Sequence, residues 1–184
     1  EYLKDNPDAV LLDARNVYES EIGAFKSGSK NLVAPKINAF REIKEHLEDL
    51  DKEKPILTYC TGDVRCEYLS AYMKDEGFKE VYHLEGGIVK YGQQFGEDGF
   101  WDGKCFTFDD RMKLDFAHGK GKDIAECRSC SKKTSEQINC EVAECNELQV
   151  ICLECQEKGF KCIKCGKVGA GRKHQDKPNS LENS

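Results

Sequence analysis

Apolar residues over the first hundred positions fall into short runs that alternate with spaced stripes. Val10-Leu11-Leu12-Asp13 is an apolar run closed by an acid, which predicts a buried strand. Pro55-Ile56-Leu57-Thr58-Tyr59-Cys60 predicts a second strand and Val81-Tyr82-His83-Leu84 a third. Between the first two, Ile37, Phe40, Ile43, Leu47 and Leu50 recur at helical spacing. Val64, Tyr68, Leu69, Tyr72 and Met73 mark another helix, closed by Gly77, and Ile88, Val89, Tyr91 and Phe95 a short one after the Glu85-Gly86-Gly87 turn. Arg15 to Pro35 is looser and rich in Gly, Ser and Asn. Strands separated by helices predict an α/β fold, a mainly parallel sheet with helices on both faces.

The pattern changes further along. Residues 1–104 read as the α/β domain and 105–126 as a polar connector, with Phe106-Thr107-Phe108 as a short edge strand. Residues 127–168 form a cysteine-rich segment and 169–184 a flexible tail without apolar periodicity. At 184 residues the chain holds one domain or two small ones. A net charge of −6 excludes nucleic-acid binding by bulk charge, though not by a local basic patch. No apolar run approaches the roughly 20 residues of a membrane span, and Glu1 to Asp8 is not a signal peptide, so no membrane partner and a cytoplasmic location are expected.

Of eleven cysteines, only Cys60, Cys66 and Cys105 lie in the first 126 residues. The other eight pair as Cys127-x2-Cys130, Cys140-x4-Cys145, Cys152-x2-Cys155 and Cys162-x2-Cys165. A short gap lets two sulfurs reach one tetrahedral ion, and eight thiolates are what two four-coordinate structural zinc ions require. Short-gap pairs favour metal over a disulfide framework, and the spacings differ from those usual for iron–sulfur sites. With no open coordination position, the zinc is structural and supplies folding energy that a sparse apolar core cannot. Whether neighbouring pairs share an ion, or the first joins the third and the second the fourth, stays open. Lys158, Lys161, Lys164, Lys167, Arg172, Lys173 and Lys177 face only Glu157 and Asp176 in this region, a candidate phosphate contact or a solvated tail.

The candidate chemistry lies at Cys60. Thr61, Gly62, Asp63, Val64 and Arg65 follow it and a helix begins near Cys66, so Cys60 sits at the carboxyl edge of a parallel strand, where ligands bind in open sheets. Convergent loop N–H groups, the helix dipole and Arg65 would each stabilise a thiolate there. The alternative is an inert buried cysteine.

These residues resemble the rhodanese family. Cys60-Thr61-Gly62-Asp63-Val64-Arg65 is similar to its active-site loop, Asp13-Ala14-Arg15 to its Asp-x-Arg motif and Leu84-Glu85-Gly86-Gly87 to its Leu-x-Gly-Gly turn. Asp13 to Gly23, Tyr59-Cys60-Thr61-Gly62, Val64-Arg65-Cys66-Glu67, Val81 to Ile88 and Cys105-Phe106-Thr107-Phe108-Asp109-Asp110-Arg111 more narrowly resemble the tRNA uridine hydroxylase branch. The resemblance implies a rhodanese-like fold, a reactive, persulfide-forming Cys60, and oxygen-dependent 5-hydroxylation of the wobble uridine of tRNA. It also makes tRNA the expected partner, held through the basic residues near the C-terminus. Cys66 matches the branch's second loop cysteine, either resolving an oxidised Cys60 as a disulfide or simply starting a helix.

Two departures stand out. Asp63 occupies a position where the family usually has glycine; its carboxylate should oppose the thiolate and repel an anionic sulfur donor. The branch also carries an N-terminal domain that is not evident here, so a fragment or reduced relative is expected. Sulfane-sulfur transfer from a small donor, and a zinc-containing binding module without catalysis, are the alternatives. Of the remaining candidates, Arg15 is expected in an ion pair, His83 in a structural hydrogen bond, His46 in solvent and His118 and His174 outside any ligand set. Trp101 and Phe100 are expected in packing rather than on a base.

Overall fold

The computed structural model describes residues 2–26, 31–109, 112–116 and 121–171. After the short helix α1 (Tyr2–Asp5) comes β1 (Val10–Asp13), then α2 (Val17–Ser20), β2 (Gly23–Phe25), β3 (Leu32–Val33), a 3-10 segment (Phe40–His46) and β4 (Ile56–Tyr59). Helix α3 (Val64–Asp75), β5 (Val81–His83) and α4 (Gly87–Phe95) follow. The strands form a parallel four-stranded sheet in the order β3-β1-β4-β5. Val10 pairs with Ile56 and Asp13 with Tyr59.

Strand alternation sends the apolar runs to both faces. One face gathers Val10, Leu12 and Ile56 with Ile43 and Leu47 before β4 and Cys66, Leu69 and Met73 of α3. The other gathers Leu11 and Tyr59 with Ile88 of α4, Trp101 and Cys105. Completely buried side chains such as Leu12, Ile56 and Ile88 each contribute about 1.5–3 kcal/mol of transfer free energy. This doubly covered parallel sheet is the expected architecture.

Three details differ from the sequence reading. The stripe from Ile37 to Leu50 winds as a 3-10 turn rather than an α-helix. Glu42 donates to Ala39, Leu47 to Lys44 and Leu50 to Leu47, a three-residue step that matches the spacing of Ile37, Phe40 and Ile43. In α3 the buried positions are Cys66, Leu69, Ser70 and Met73, which leaves Val64 and Tyr68 exposed.

The third concerns the connector. The chain divides into two compact units after Lys122. Strand β6 (Trp101–Gly103) pairs antiparallel with β2, and β7 (Cys105–Phe106) with β8 (Lys113–Leu114). Cys105 and Phe106 are buried. The described residues between 105 and 122 therefore belong to the first unit, because Cys105, Leu114 and Phe116 complete one face of its core.

The second unit holds two antiparallel pairs, β9 (Gln137–Asn139) with β10 (Leu148–Val150), and β11 (Phe160–Lys161) with β12 (Val168–Gly169). Helix α5 (Leu153–Lys158) lies between them in sequence. Its core is small: Ile138, Ile151 and Phe160 with Cys127 and Cys152. Gly169, assigned to the tail from sequence, is paired with Phe160. His118, His174, Arg172, Lys173 and Lys177 lie outside the described residues. Among the described residues no helix is long and apolar enough to cross a membrane.

Candidate active site

Cys60 follows β4 directly, and Thr61, Gly62 and Asp63 turn the chain into α3. The turn is held from outside by α4. Ile88 donates its N–H to the Cys60 carbonyl at 3.0 Å and Val89 to that of Thr61 at 3.1 Å. Gly87 makes this approach possible, since a Cβ there would lie 2.6 Å from both carbonyl oxygens. With those carbonyls engaged outward, N–H groups are left to face the sulfur. Those of Arg65 and Cys66 help to lower its pKa, while the Cys66 N–H donates to the Asp63 carbonyl at 2.8 Å.

Cys60 is 1 % exposed, yet its pKa is lowered to about 6. The largest cause is the hydrogen bond from the Cys66 thiol; the Arg65 charge and the two N–H groups add to it, and burial works against it. Cys66 is pushed the other way, well above the ordinary thiol range, because its proton is the one held between the two sulfurs and it is buried. Cys105, raised to about 12 by burial, is an inert core thiol. Of the three cysteines in this unit, Cys60 alone has its pKa lowered.

Asp63 adopts φ 74°, the left-handed backbone that asparagine and aspartate tolerate better than most side chains. Its carboxylate is engaged on both oxygens, by His83 Nδ1 at 2.7 Å and by the N–H of Gly86 at 3.1 Å. His83 is thus hydrogen-bonded, as expected, but to the loop itself. No neighbouring atom crowds the position a Cβ would take at Gly62, and Val64 is exposed.

Arg65 does not stand alone. It meets Glu19 through two contacts of 2.7 Å, and Glu19 is wholly buried. The same carboxylate accepts the Thr61 hydroxyl at 3.1 Å and the Asn16 N–H at 3.1 Å, which closes the cap of α2. Glu19 is the site residue that sequence reasoning leaves out; the Asn16-x-x-Glu19 spacing signals a helix cap but not its distant partner. Arg15 is in the expected ion pair, bonded to Asp13 at 2.9 and 2.7 Å and to the carbonyl of Gly23 at 2.8 Å. Tyr59 closes this network by donating to Asp13 at 2.8 Å. Trp101 is buried, with its ring 5.0 Å from the Arg15 guanidinium.

In the second unit the eight sulfurs form two groups, Cys127, Cys130, Cys152 and Cys155, and Cys140, Cys145, Cys162 and Cys165. The first pair therefore joins the third and the second the fourth, the interleaved alternative. Four sulfurs at about 2.3 Å from one tetrahedral ion lie roughly 3.8 Å apart. The separations Cys130–Cys152, Cys140–Cys165 and Cys145–Cys162 are each 3.7 Å, so both groups can hold a metal ion. Outer contacts orient them: Cys152 N–H donates to Cys127 Sγ and Gln149 Nε2 to Cys162 Sγ, both at 3.3 Å. Of the basic residues, Lys164 is paired with Glu147 at 3.0 Å.

Comparison with known proteins agrees with this geometry. Residues 1–94 match the Rhodanese-like domain family and residues 102–168 the Rhodanase C-terminal family. A tRNA uridine(34) hydroxylase of Corynebacterium urealyticum is 42 % identical over 149 residues, 79 % of this chain and 48 % of that protein. One from an Arthrobacter species is 44 % identical over 145 residues, again 79 % of this chain and 48 % of that protein. The chain thus spans about half the length of the curated relatives it matches. Among solved structures, the Alr3790 protein from Anabaena sp. is 20 % identical, with a TM-score of 0.43 over 58 % of this chain and 85 % of that one. With its loop cysteine, the arginine five residues on and a family match over more than half its length, the chain belongs to the rhodanese-like domain family.

Proposed function

We propose that this chain carries the reactive part of a tRNA uridine hydroxylase, with Cys60 as the reacting residue. The observation that carries the reading is the position of Cys60 at the end of β4, in a rhodanese-type loop closed by Arg65, where its thiolate is favoured. Relatives of that name, more than 40 % identical, add the substrate class. The reaction is oxygen-dependent 5-hydroxylation of the wobble uridine, in the cytoplasm. A thiolate is the form of cysteine that attacks an electrophile or takes up sulfane sulfur as a persulfide. Arg65 and the loop N–H groups hold the sulfur ionised, Cys66 keeps the shared proton close to it, and Thr61 and Glu19 fix Arg65 in place. The two cysteine groups hold structural zinc, which orders the second unit. Lys158, Lys161 and Lys167 of that unit then contact RNA phosphates.

The test is 5-hydroxyuridine in tRNA from cells whose full-length gene carries Cys60→Ala. Loss of the modified base is expected; its persistence at the normal level would overturn the reading. The same thiolate also favours a second reading, sulfane-sulfur transfer from a small donor such as thiosulfate. Thiocyanate formation from thiosulfate and cyanide by the purified protein decides that reading.

A further inference from the structure

We propose that Phe108 is the stacking platform for the target base, a positioning residue beside the reactive sulfur; this rests on the uridine reading above. Phe108 follows β7 in a turn closed by hydrogen bonds from Thr107 N–H to Met112 and from Met112 N–H to Asp109, both 2.9 Å. Its ring is 62 % exposed, whereas Phe106, two residues earlier, is 1 % exposed. Single exposed apolar side chains are ordinary. What sets Phe108 apart is what supports it.

The Arg65 guanidinium lies 5.6 Å from the Phe108 ring centroid. Phe106 meets the same ring edge-on at 5.1 Å, and Tyr18 in turn meets Phe106 at 5.3 Å. Tyr18 is fixed by Asn16 at 2.7 Å, and Arg65 by both oxygens of Glu19. The ring is therefore flanked on two sides by groups that are themselves hydrogen-bonded or packed, and the exposed part of its surface is open to a planar partner. Arg65 is also one of the groups whose charge lowers the Cys60 pKa, so the ring and the sulfur share this neighbour.

A nucleobase has the matching chemistry. It is flat, and aromatic side chains take any base because every base presents a π-face. The ring thus positions the base without choosing uridine over cytidine. Removing a target base from its stack in the anticodon loop needs such a replacement surface. Phe100, equally exposed at 62 %, has no comparable tie to the loop.

The test is binding of anticodon stem-loop RNA to the intact, zinc-loaded protein by fluorescence anisotropy. The RNA carries either uridine or an abasic nucleotide at the wobble position, and the protein is unaltered, Phe108→Ala or Phe108→Tyr. Phe108→Ala and the abasic RNA should each weaken binding by about tenfold, and together by no more than either alone. Phe108→Tyr should restore the difference between the two RNAs, which also shows that position 108 acts through its ring and not through folding. Equal weakening of both RNAs by Phe108→Ala, or no weakening, would overturn the platform and leave the uridine reading standing. Failure of the unaltered protein to bind the uridine RNA would overturn both.

Discussion

Arg65 and Glu19, 46 residues apart in sequence, meet through two contacts of 2.7 Å beside the reactive loop. The carboxylate is wholly buried and the Arg65 side chain is 18 % exposed. Leaving one partner of such a pair buried alone costs about 3–5 kcal/mol. Glu19→Ala should therefore lower the unfolding free energy by an amount in that range, read as a lower denaturant midpoint, and free Arg65 and Thr61 from their fixed positions. Arg65→Gln should raise the pH at which Cys60 ionises, since the Arg65 charge is among the causes that lower it. Arg65→Lys, which keeps the charge but not the two-pronged contact, should fall between. An unchanged Cys60 titration in Arg65→Gln would remove Arg65 from the account.

Asp63 makes a second test. Glycine keeps its left-handed backbone at φ 74° and removes a carboxylate from the loop, while alanine removes the same charge at a cost of about 1–2 kcal/mol of backbone strain. Asp63→Gly should raise thiosulfate turnover severalfold by ending the repulsion of an anionic donor. Both variants leave His83 without its partner. Turnover in Asp63→Gly equal to that of the unaltered protein would overturn the idea that Asp63 repels the donor.

How the four cysteine pairs share metal can be counted. Two zinc ions per chain are expected by elemental analysis. Because the grouping is interleaved, the double variant Cys130→Ser/Cys152→Ser should keep one ion. Cys130→Ser/Cys140→Ser should lose both. The reverse pattern would mean that neighbouring pairs share an ion. Chelation should unfold residues 123–171, whose apolar core is too small to stand alone.

The strand–loop–helix around Cys60 was legible because its signals are local: an apolar run, a cysteine at its end and an arginine at the start of a helical stripe. The eight metal-type cysteines were legible in number for the same reason. What the sequence hid is long-range. Glu19 lies in a segment that reads as loose until the fold brings Arg65 to it. The grouping of Cys127 with Cys152 depends on how two short hairpins pack. The stripe from Ile37 to Leu50 misleads because spacings of three and four suit a 3-10 turn and an α-helix alike, and the buried set Cys66, Leu69, Ser70, Met73 shows that tertiary packing, not the apolar character of Val64 and Tyr68, fixed the inward face of α3. The extent of the first unit was hidden too, because Cys105 and Phe106 are a short apolar island among polar residues and only their pairing with Lys113 and Leu114 makes them core.

The account turns on an ionised sulfur at Cys60, and the rate of its alkylation against pH measures that directly. Iodoacetamide labelling, quantified by mass spectrometry on the peptide containing Cys60, follows the thiolate fraction alone. The thiol is protonated below its pKa and ionised above it, so labelling should rise through a midpoint near pH 6 and be level by neutral pH. A midpoint near 9, the ordinary value for a thiol, would contradict the account.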